Sequence, residues 1–421
     1  MIAFRLKQKI KMLLQNRLLP LVYGMYRRKP VEKGLVIFAD AHHAEIPFSM
    51  RRMYDAVCRM EAGGTNSANS PEDTSMSDKA VSAGSEGVAV PNDNTRYHIE
   101  NFVTDFDALS FIALARYLLR FMRRYAVAEY VFICDYFLPV ASCRKRPQTK
   151  VVQLWHSCGL TKKIAYDAGE DIPKGYSGDM FGNYTYLTMS AEVCVPVHER
   201  ALRLSREHIF ATGISRTDFY FDQEWNEQCR ENFRKQHPEA AGKKVALWAP
   251  TFRGNAAAPR LEGLETVRRA ADSMKDEWYF VIKAHPHVDR HEMVSNSTIP
   301  TEELFPVADV LITDYSSVLF DYLLYRRPAV LFAPDLEEYE EKRGFYIDYR
   351  SIPFPLAQTE AELKAALEQA GSLPEAQNIG GRYKGGWYAE HAEEIDAFRE
   401  TYVGACDGHA TERILKLAGL T

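Results

Sequence analysis

The chain has 421 residues, of which 46% are hydrophobic and 26% charged, and its formal net charge is −5. This composition excludes a largely disordered chain, and the length exceeds one compact core and predicts two domains. The negative charge argues against a general nucleic-acid binder, which usually carries a net basic field. The seven cysteines are scattered without a CxxC pair, so no disulfide framework or zinc site is predicted and a reducing cytoplasm is expected.

The first segment, residues 1–30, carries only positive charges, among them Arg5, Lys7, Lys9 and Lys11, set between apolar residues at a nearly helical spacing. No apolar run in the sequence reaches the roughly 20 residues that span a bilayer. Polar residues interrupt the apolar centre that a signal peptide needs. Two interpretations remain open: a basic amphipathic helix on an anionic membrane surface, or an ordinary first helix packed on the domain. The local positive charge in a negative chain favours the first.

Residues 31–222 are predicted to form a first α/β domain. GLVIFAD (Gly34–Asp40) is typical of a buried strand that ends in an acid. A helical pattern follows over Phe106–Tyr125, and further strands are predicted at EYVFICD, KVVQLWH, YLTMSAE and HIFATGI. Such alternation predicts a parallel sheet with helices on both faces. Residues 61–94 are rich in Gly, Ser, Asn and Asp and lack aromatic residues, which predicts a mobile surface insertion without a chemical role.

Residues 223–375 repeat this organisation. After a charged helical stretch, KVALWAPTF, WYFVIKAHP, DVLITDYSS and PAVLFAPD predict the strands of a second doubly wound sheet. Residues 376–421 predict a helical segment with glycine breaks near its start. Two such domains facing each other across a cleft bind ligands beyond the carboxyl ends of their strands.

Polar side chains follow three strands of the second domain: Thr251 and Arg253, Lys283 and His285, and Asp314, Ser316 and Ser317. Hydroxyls, a guanidinium, an ammonium and an imidazole at one sheet edge suit a phosphate or diphosphate. The helix after Tyr315 adds free N–H groups and a positive dipole end. One of the two serines also suits a helix cap, and a lone histidine such as His285 is more often structural.

In the first domain, the stretch KVVQLWHSCGL delivers His156 to the end of a predicted strand. An imidazole suits a general base near neutral pH, and the small Ser157, Cys158 and Gly159 leave room for a substrate beside it. Cys158 is interpreted as a small spacer and not as a nucleophile. The motifs GxSxG, HExxH, GxxxxGK[ST] and GxGxxG do not occur, which argues against a serine hydrolase, a protein-built metal site, an ordinary ATPase and a dehydrogenase.

Taken together, LWHSCGLTKKIAYD, WAPTFRG, IKAHP and the block from DVLITDYSS to RGFYIDY resemble the CDP-glycerol glycerophosphotransferase family of bacterial teichoic acid synthesis. The resemblance covers residues 150–355, about half of the chain. It implies the two-domain GT-B architecture and a peripheral membrane enzyme at the inner face of the cell membrane. It also implies transfer of a polyol phosphate from a CDP-activated donor to a hydroxyl of a membrane-anchored acceptor. Glycerol phosphate is the favoured polyol phosphate.

The donor implied by the resemblance is CDP-glycerol or CDP-ribitol, the acceptor is a lipid-linked polyol phosphate or glycan, and CMP leaves. No cofactor is demanded by the sequence, although a divalent cation on the phosphates stays open. His156 matches the histidine that is thought to act as the base in the family. His285 matches a histidine that would contact the phosphates of the donor. The remaining positions that match the family's motifs in the donor domain are Thr251, Arg253, Asp314, Ser316, Ser317, Asp321, Glu337 and Glu338.

The loop beside His156 departs from the family's pattern. Where the family commonly has WHGTPLKK, this chain has WHSCGLTKK, so the loop is expected to be reshaped with consequences for the acceptor. Two other functions remain open. A nucleotide-sugar glycosyltransferase of the same architecture would release a nucleoside diphosphate, and a non-catalytic relative would bind the nucleotide without turnover. The joint presence of His156, His285, Arg253 and Ser316 argues against the latter.

Overall fold

A computed structural model describes residues 13–61, 96–168, 172, 176, 178–255, 258–289, 292–371 and 386–420 of the chain. The predicted membrane-binding cations Arg5, Lys7, Lys9 and Lys11 lie outside these residues. The predicted insertion also lies outside them, apart from Glu61, which ends a helix.

Among the described residues, the first sheet contains the strands β1 Glu32–Asp40, β2 His98–Val103, β3 Ala128–Ile133, β4 Lys150–Gln153, β5 Tyr186–Thr188 and β6 Ile209–Phe210. Their order is β2-β1-β3-β4-β5-β6, and every neighbouring pair is parallel. Val36 of β1 pairs with Ile99 on one side and with Tyr130 on the other. Strand β1 is buried from Gly34 to Asp40, because a parallel sheet covered on both faces demands a continuous apolar run.

Helices pack on both faces of this sheet: α1 Leu19–Tyr26, α2 Phe48–Glu61, α3 Phe111–Tyr125 and α4 Val195–Leu202. Alternate side chains of a strand point to opposite faces. Ile37 therefore packs in the same layer as Phe121 of α3, whereas Phe38 packs in the layer of Met53 of α2. Within the described ranges, no helix is long and apolar enough to cross a bilayer.

The described part of the second sheet contains β7 Lys244–Trp248, β10 Trp278–Ile282, β11 Val310–Thr313, β12 Ala329–Phe332 and β13 Leu356–Ala357. Their order is β10-β7-β11-β12-β13 and all pairs are parallel, while β8 Arg253–Asn255 and β9 Ala258–Arg260 form an antiparallel hairpin. The accompanying helices are α5 Gln223–Gln236, α6 Leu264–Ser273, α7 Pro286–Asp289, α8 Thr301–Leu304, α9 Val318–Tyr322, α10 Leu336–Lys342 and α11 Glu360–Gly371. The predicted architecture of two doubly wound parallel sheets is confirmed.

The C-terminal helices are α12 Gly386–Glu390, α13 Ala392–Val403 and α14 Ala410–Ala418, and they lead from the second domain back to the first. Helix α13 packs its Phe398 against Phe320 of α9, with ring centroids 5.8 Å apart. Beyond it, the amide of Ala405 donates to the carbonyl of Ser190 at 3.0 Å. Helix α14 then buries Ile414 in the same layer as Phe38 of the first sheet. The last helix of the chain therefore belongs to the core of its first domain.

Each sheet has one point at which the strand order reverses, between β1 and β3 in the first sheet and between β7 and β11 in the second. Ligands of open α/β sheets bind at such points, outside the carboxyl ends of the strands. Asp40 ends β1 and Asp135 follows β3, while Thr251 follows β7 and Asp314 follows β11. In both sheets, polar residues therefore lie at the carboxyl ends of the strands where the strand order reverses.

Candidate active site

His156 lies three residues beyond Gln153, the last residue of β4, and follows an unusual turn. Trp155 has a left-handed backbone (φ 59°), which a bulky residue adopts only when its surroundings enforce it. Its buried indole stacks on the His156 ring at 5.2 Å and meets the ring of His198 edge-on at 5.2 Å. The turn leaves the His156 side chain 42% exposed, so the imidazole is accessible from outside the sheet.

The contacts of Nδ1 orient the His156 ring. Nδ1 donates to the carbonyl oxygen of Cys134 at 3.2 Å, and the Asp135 carboxylate lies 3.6 Å from the same nitrogen. With its proton on Nδ1, the ring presents the lone pair of Nε2, which is the form a general base needs. The carboxylate of Asp135 is placed to stabilise the ring once it has taken up a proton. This geometry fits the base predicted at His156.

Arg253, predicted from the sequence to bind a phosphate, makes several contacts within the protein. It is 9% exposed and binds Asp335 through two hydrogen bonds, Nε to Oδ2 at 2.7 Å and Nη2 to Oδ1 at 2.8 Å. Its Nη2 also lies 3.0 Å from Oδ2 of Asp314. The rings of Tyr315 and Tyr339 lie 4.8 and 4.9 Å from its guanidinium carbon. Arg253 therefore braces the loops that follow β7, β11 and β12.

Asp314 is the second buried member of this network. Its Oδ1 accepts the amide of Thr251 at 2.8 Å, which fixes the loop after β7 against the loop after β11. Burial raises the pKa of Asp314, although the neighbouring Arg253 opposes the shift. At Asp335 burial acts in the same direction, but the hydrogen bonds from Arg253 outweigh it and hold the pKa of that carboxyl below its usual value. Sequence reasoning missed Asp335, which directly precedes α10.

Ser316 and Ser317 lie half-buried between Asp314 and helix α9, as expected. The Ser316 hydroxyl accepts the amide of Val318 at 3.4 Å, a long capping bond, whereas Ser317 makes no side-chain capping bond. One of the two hydroxyls thus serves the helix end and the other does not. Helix α9 itself has five residues and continues as a 3-10 turn over Leu323–Tyr325.

Lys283 and His285 follow β10, the strand beside β7. Lys283 is half-buried and its ammonium donates to the carbonyl of Ser297 at 3.0 Å, while burial lowers its pKa. His285 is exposed, and its ring lies 4.7 Å from the ring of Phe252. Because Phe252 lies between Thr251 and Arg253, this contact brings His285 to the edge at which β7 ends.

The structure does not bring three predicted residues to this edge. Asp321 is buried, and its carboxylate accepts hydrogen bonds from Arg216 and from the hydroxyl of Tyr220. Glu337 is 70% exposed and binds Arg350 at 3.1 Å. Glu338 is 62% exposed and pairs with Lys342 one helical turn away. Glu337 and Glu338 therefore lie on the outer surface of α10, and Asp321 makes a contact between the domains.

The loop after His156 contacts the second domain directly. Gly159 has a left-handed backbone (φ 65°), and a Cβ at this position would lie 2.2 Å from the Phe320 ring of α9. Further along, the amide of Tyr346 donates to the carbonyl of Thr161 at 2.8 Å. The glycine that distinguishes WHSCGL from the family's usual loop is therefore the point at which this loop meets α9.

A second polar cluster, at the end of β1, was not predicted as part of the site. The buried Asp40 carboxylate accepts the amides of His42 and His43 at 2.8 and 3.0 Å, and its Oδ1 lies 2.8 Å from Nδ1 of His43. The signal was present in the sequence, as an acid at a strand end followed by two histidines. Across the described residues, no group of three or more His, Cys, Asp or Glu side chains is arranged to hold a metal ion.

Comparisons with solved structures bear on the fold. A TagF variant, a wall teichoic acid polymerase solved with CDPG, matches with a TM-score of 0.67 at 19% identity, covering 99% of this chain and 97% of that one. The UDP-GlcNAc 2-epimerase of Neisseria meningitidis matches with a TM-score of 0.51 at 12% identity, covering 92% of this chain and 99% of that one. At these identities the likeness shows the fold alone, which is GT-B-like.

Sequence comparisons identify the family. The teichoic acid poly(ribitol-phosphate) polymerase of Bacillus spizizenii is 27% identical over 417 residues, which cover 96% of this chain but only 59% of that protein. The teichoic acid ribitol-phosphate primase of the same organism is 29% identical over 308 residues, covering 69% of this chain and 74% of that protein. Residues 92–418 match the profile described as CDP-Glycerol:Poly(glycerophosphate) glycerophosphotransferase. The chain is therefore a member of this family of transferases.

Proposed function

We propose that the chain transfers a polyol phosphate from a CDP-activated donor to a hydroxyl of a membrane-anchored acceptor in the synthesis of teichoic acid or a related cell-surface polymer. Family membership supports the reaction class. The observation that carries the assignment is the orientation of His156, whose Nδ1 donates to the Cys134 carbonyl at 3.2 Å and whose Nε2 is thereby left as the base.

In the proposed step, Nε2 of His156 takes the proton of the acceptor hydroxyl, and that oxygen forms a bond to the β-phosphorus of the donor. The bond from this phosphorus to the bridging oxygen breaks, and CMP leaves with that oxygen. The displacement needs positioning and charge stabilisation more than covalent chemistry. Asp135, 3.6 Å from Nδ1, stabilises the imidazolium that forms.

The donor's phosphates are assigned to the edge at which β7, β10 and β11 end. Ser317, whose hydroxyl is not used in capping, and the exposed His285 are the proposed direct contacts. Lys283 contributes positive charge at the end of β10. Arg253 acts indirectly in this scheme, since its guanidinium holds the loops that present Thr251 and Ser316. No step requires a metal ion, and a divalent cation on the phosphates stays an open part of the proposal.

The polyol is proposed to be glycerol, with ribitol as the second candidate. The family description names CDP-glycerol, whereas the two Bacillus spizizenii relatives carry ribitol phosphate in their names. The deciding experiment measures CMP release from CDP-glycerol and from CDP-ribitol with a lipid-linked acceptor. CMP from one donor names the polyol, whereas release of a nucleoside diphosphate from a nucleotide sugar would replace the proposal with a glycosyltransferase.

The matched variants are His156→Ala and His98→Ala, because His98 is an exposed histidine of the same sheet, at its β2 edge. Loss of a general base typically lowers turnover by about 10²–10⁴-fold. We expect that loss in His156→Ala and wild-type turnover in His98→Ala. Turnover of His156→Ala within a few-fold of wild type would remove His156 from the scheme.

We further propose that the chain binds peripherally to the inner face of the cell membrane. Six of the eight large apolar side chains that are exposed among the described residues lie on the N-terminal helical segment and the start of α3: Leu13, Leu18, Leu21, Met25, Phe111 and Ile112. Exposed basic residues accompany them on the same elements: Arg17, Arg27, Arg28, Arg116, Arg120 and Arg123. Apolar side chains flanked by cations suit an anionic lipid surface.

Sedimentation with vesicles of phosphatidylglycerol and phosphatidylcholine tests this membrane proposal. The double variant Leu21→Glu/Ile112→Glu is expected to lose vesicle binding. Met293→Glu, at an isolated exposed methionine of the second domain, is expected to keep it. Equal binding by all three proteins would contradict the proposal for these described residues.

A further inference from the structure

The loop after β1 presents a histidine held in one orientation. The Asp40 carboxylate, 1% exposed, lies 2.8 Å from Nδ1 of His43 and accepts two backbone amides of the same loop. The His43 side chain is 53% exposed. With Nδ1 taken by Asp40, Nε2–H is the ring donor that His43 offers to a ligand.

The charges around this ring favour its cationic form. The hydrogen bond to Asp40 raises the pKa of His43, and the carboxylates of Asp135 and Glu302 add to the shift while partial burial opposes it. The pKa of Asp40 is lowered, because the bonds from His43 and the His42 amide outweigh the effect of burial. His43 is therefore protonated at neutral pH to a greater extent than an ordinary histidine.

The strand order places His43 on the same side of the sheet edge as the proposed base His156, with one strand between them. Strands β1, β3 and β4 are consecutive in the sheet, and they lead into His43, Asp135 and His156. Neighbouring strands lie about 4.8 Å apart, so the ends of β1 and β4 are about 10 Å apart. Cys134 connects them, since its thiol lies 3.7 Å from Oδ2 of Asp40 and its carbonyl accepts from His156.

We propose that His43, held by Asp40, binds the phosphate of the acceptor's terminal polyol phosphate unit while a hydroxyl of that unit lies at His156. The inference rests on the proposed function, and its new element is the assignment of His43 as the residue that recognises the phosphate of such an acceptor. A charge-assisted bond from Nε2–H to a phosphate oxygen fits an oriented imidazolium. One terminal unit reaches across the intervening strand end, and for glycerol phosphate Asp135 accepts from its one remaining hydroxyl.

The kinetic test uses two synthetic lipid-linked acceptors, one ending in glycerol phosphate and one in uncharged glycerol. His43→Gln removes a charge-assisted hydrogen bond and is therefore expected to raise the KM for the phosphorylated acceptor about tenfold or more. The KM for the CDP-polyol and for the uncharged acceptor should stay within about twofold. His42→Gln is the matched control, because only the backbone amide of His42 bonds to Asp40.

An equal rise of KM for both acceptors, or a rise in the donor KM, would overturn the proposal and leave the Asp40–His43 pair as a loop brace. A binding measurement separates this result from failure of the proposed function. The ring signal of His43, assigned by its loss in His43→Gln, is followed by NMR with glycerol 3-phosphate and with glycerol. A shift with glycerol 3-phosphate alone, reduced in Asp40→Asn, supports the site even without turnover, and no shift with either overturns it.

Discussion

Arg216 and Asp321 form a buried ion pair that joins the two domains, with Nη2 and Oδ2 2.7 Å apart. Arg216 lies in the 3-10 helix Ser215–Phe221, and Asp321 lies in α9. The same guanidinium donates to the backbone carbonyl of His156. Arg216 therefore links the contact between the domains to the backbone of His156, the proposed base.

Removing one partner of this pair should strongly destabilise the protein. Arg216→Met leaves the Asp321 carboxylate buried without its cation, and such changes typically cost about 3–5 kcal/mol. We expect a large fall in the urea midpoint of unfolding. Arg350→Met, which breaks an exposed pair with Glu340, should change stability by about 1 kcal/mol or less. If Asp321→Asn raised only the donor KM and kept full stability, Asp321 would return to the donor site.

Gly159→Ala should lower the free energy of unfolding by more than the left-handed backbone conformation alone explains. The matched control is Gly242→Ala, since Gly242 also has a left-handed backbone (φ 75°) but no atom within 4 Å of the added Cβ. The control is expected to cost about 1–2 kcal/mol. Gly159→Ala adds a clash with the Phe320 ring, so combining it with Phe320→Ala should cost less than the sum of the single changes. Strict additivity in thermal or urea unfolding would show that the loop does not meet α9 there.

Arg253→Lys tests whether this guanidinium is a brace or a donor contact. A lysine cannot reproduce the paired hydrogen bonds to Asp335, so half-buried carboxylate oxygens lose partners at a cost of about 1–3 kcal/mol. Arg260→Lys, at the exposed position that pairs with Arg253 across the β8–β9 hairpin, should leave unfolding unchanged. A raised KM for the CDP-polyol with unchanged stability would instead support direct phosphate binding.

The buried His198 should make the protein sensitive to acid. Burial lowers the pKa of His198 to about 4 from an ordinary value of 6.5, against the hydrogen bond to the Cys194 carbonyl. Between these pH values the unfolded chain binds a proton that the native state does not. Stability therefore falls as pH falls through this range, by about 1.4 kcal/mol per pH unit from this residue. The urea midpoint of His198→Phe should depend less on pH here, and an unchanged slope would contradict the assignment.

The sequence predicted those parts of the fold that are buried on both faces. Strands β7, β10, β11 and β12 are continuous apolar runs because helices cover both sides of a parallel sheet. Strand β2 lies at the sheet edge and is mostly exposed or half-buried, and its sequence HIENFV therefore carries no such signal. Strand β13 has two residues, too few for any periodicity to be read.

The sequence predicts the position of those site residues that directly follow a strand. His156, Thr251 and Ser316 follow strands, so their place at a sheet edge can be read from the sequence. The partner of a charged side chain is a different matter, since Arg253 meets a carboxylate of Asp335 that is 82 residues away along the chain. The contact of Arg253 with Asp335 could not be predicted, because no local pattern shows which long-range partner a charged side chain meets.

The return of α14 to the first domain limits how the protein can be divided. A polypeptide ending at residue 222 would lack Ile414, Leu415, Ala418 and Leu420, whose burial completes one layer of the first sheet. The chain therefore crosses between the domains twice, and two covalent connections restrain a full separation of the domains. Expression of the halves as independent fragments should therefore give an aggregation-prone first half, and adding the residues around α14 in trans should restore its solubility.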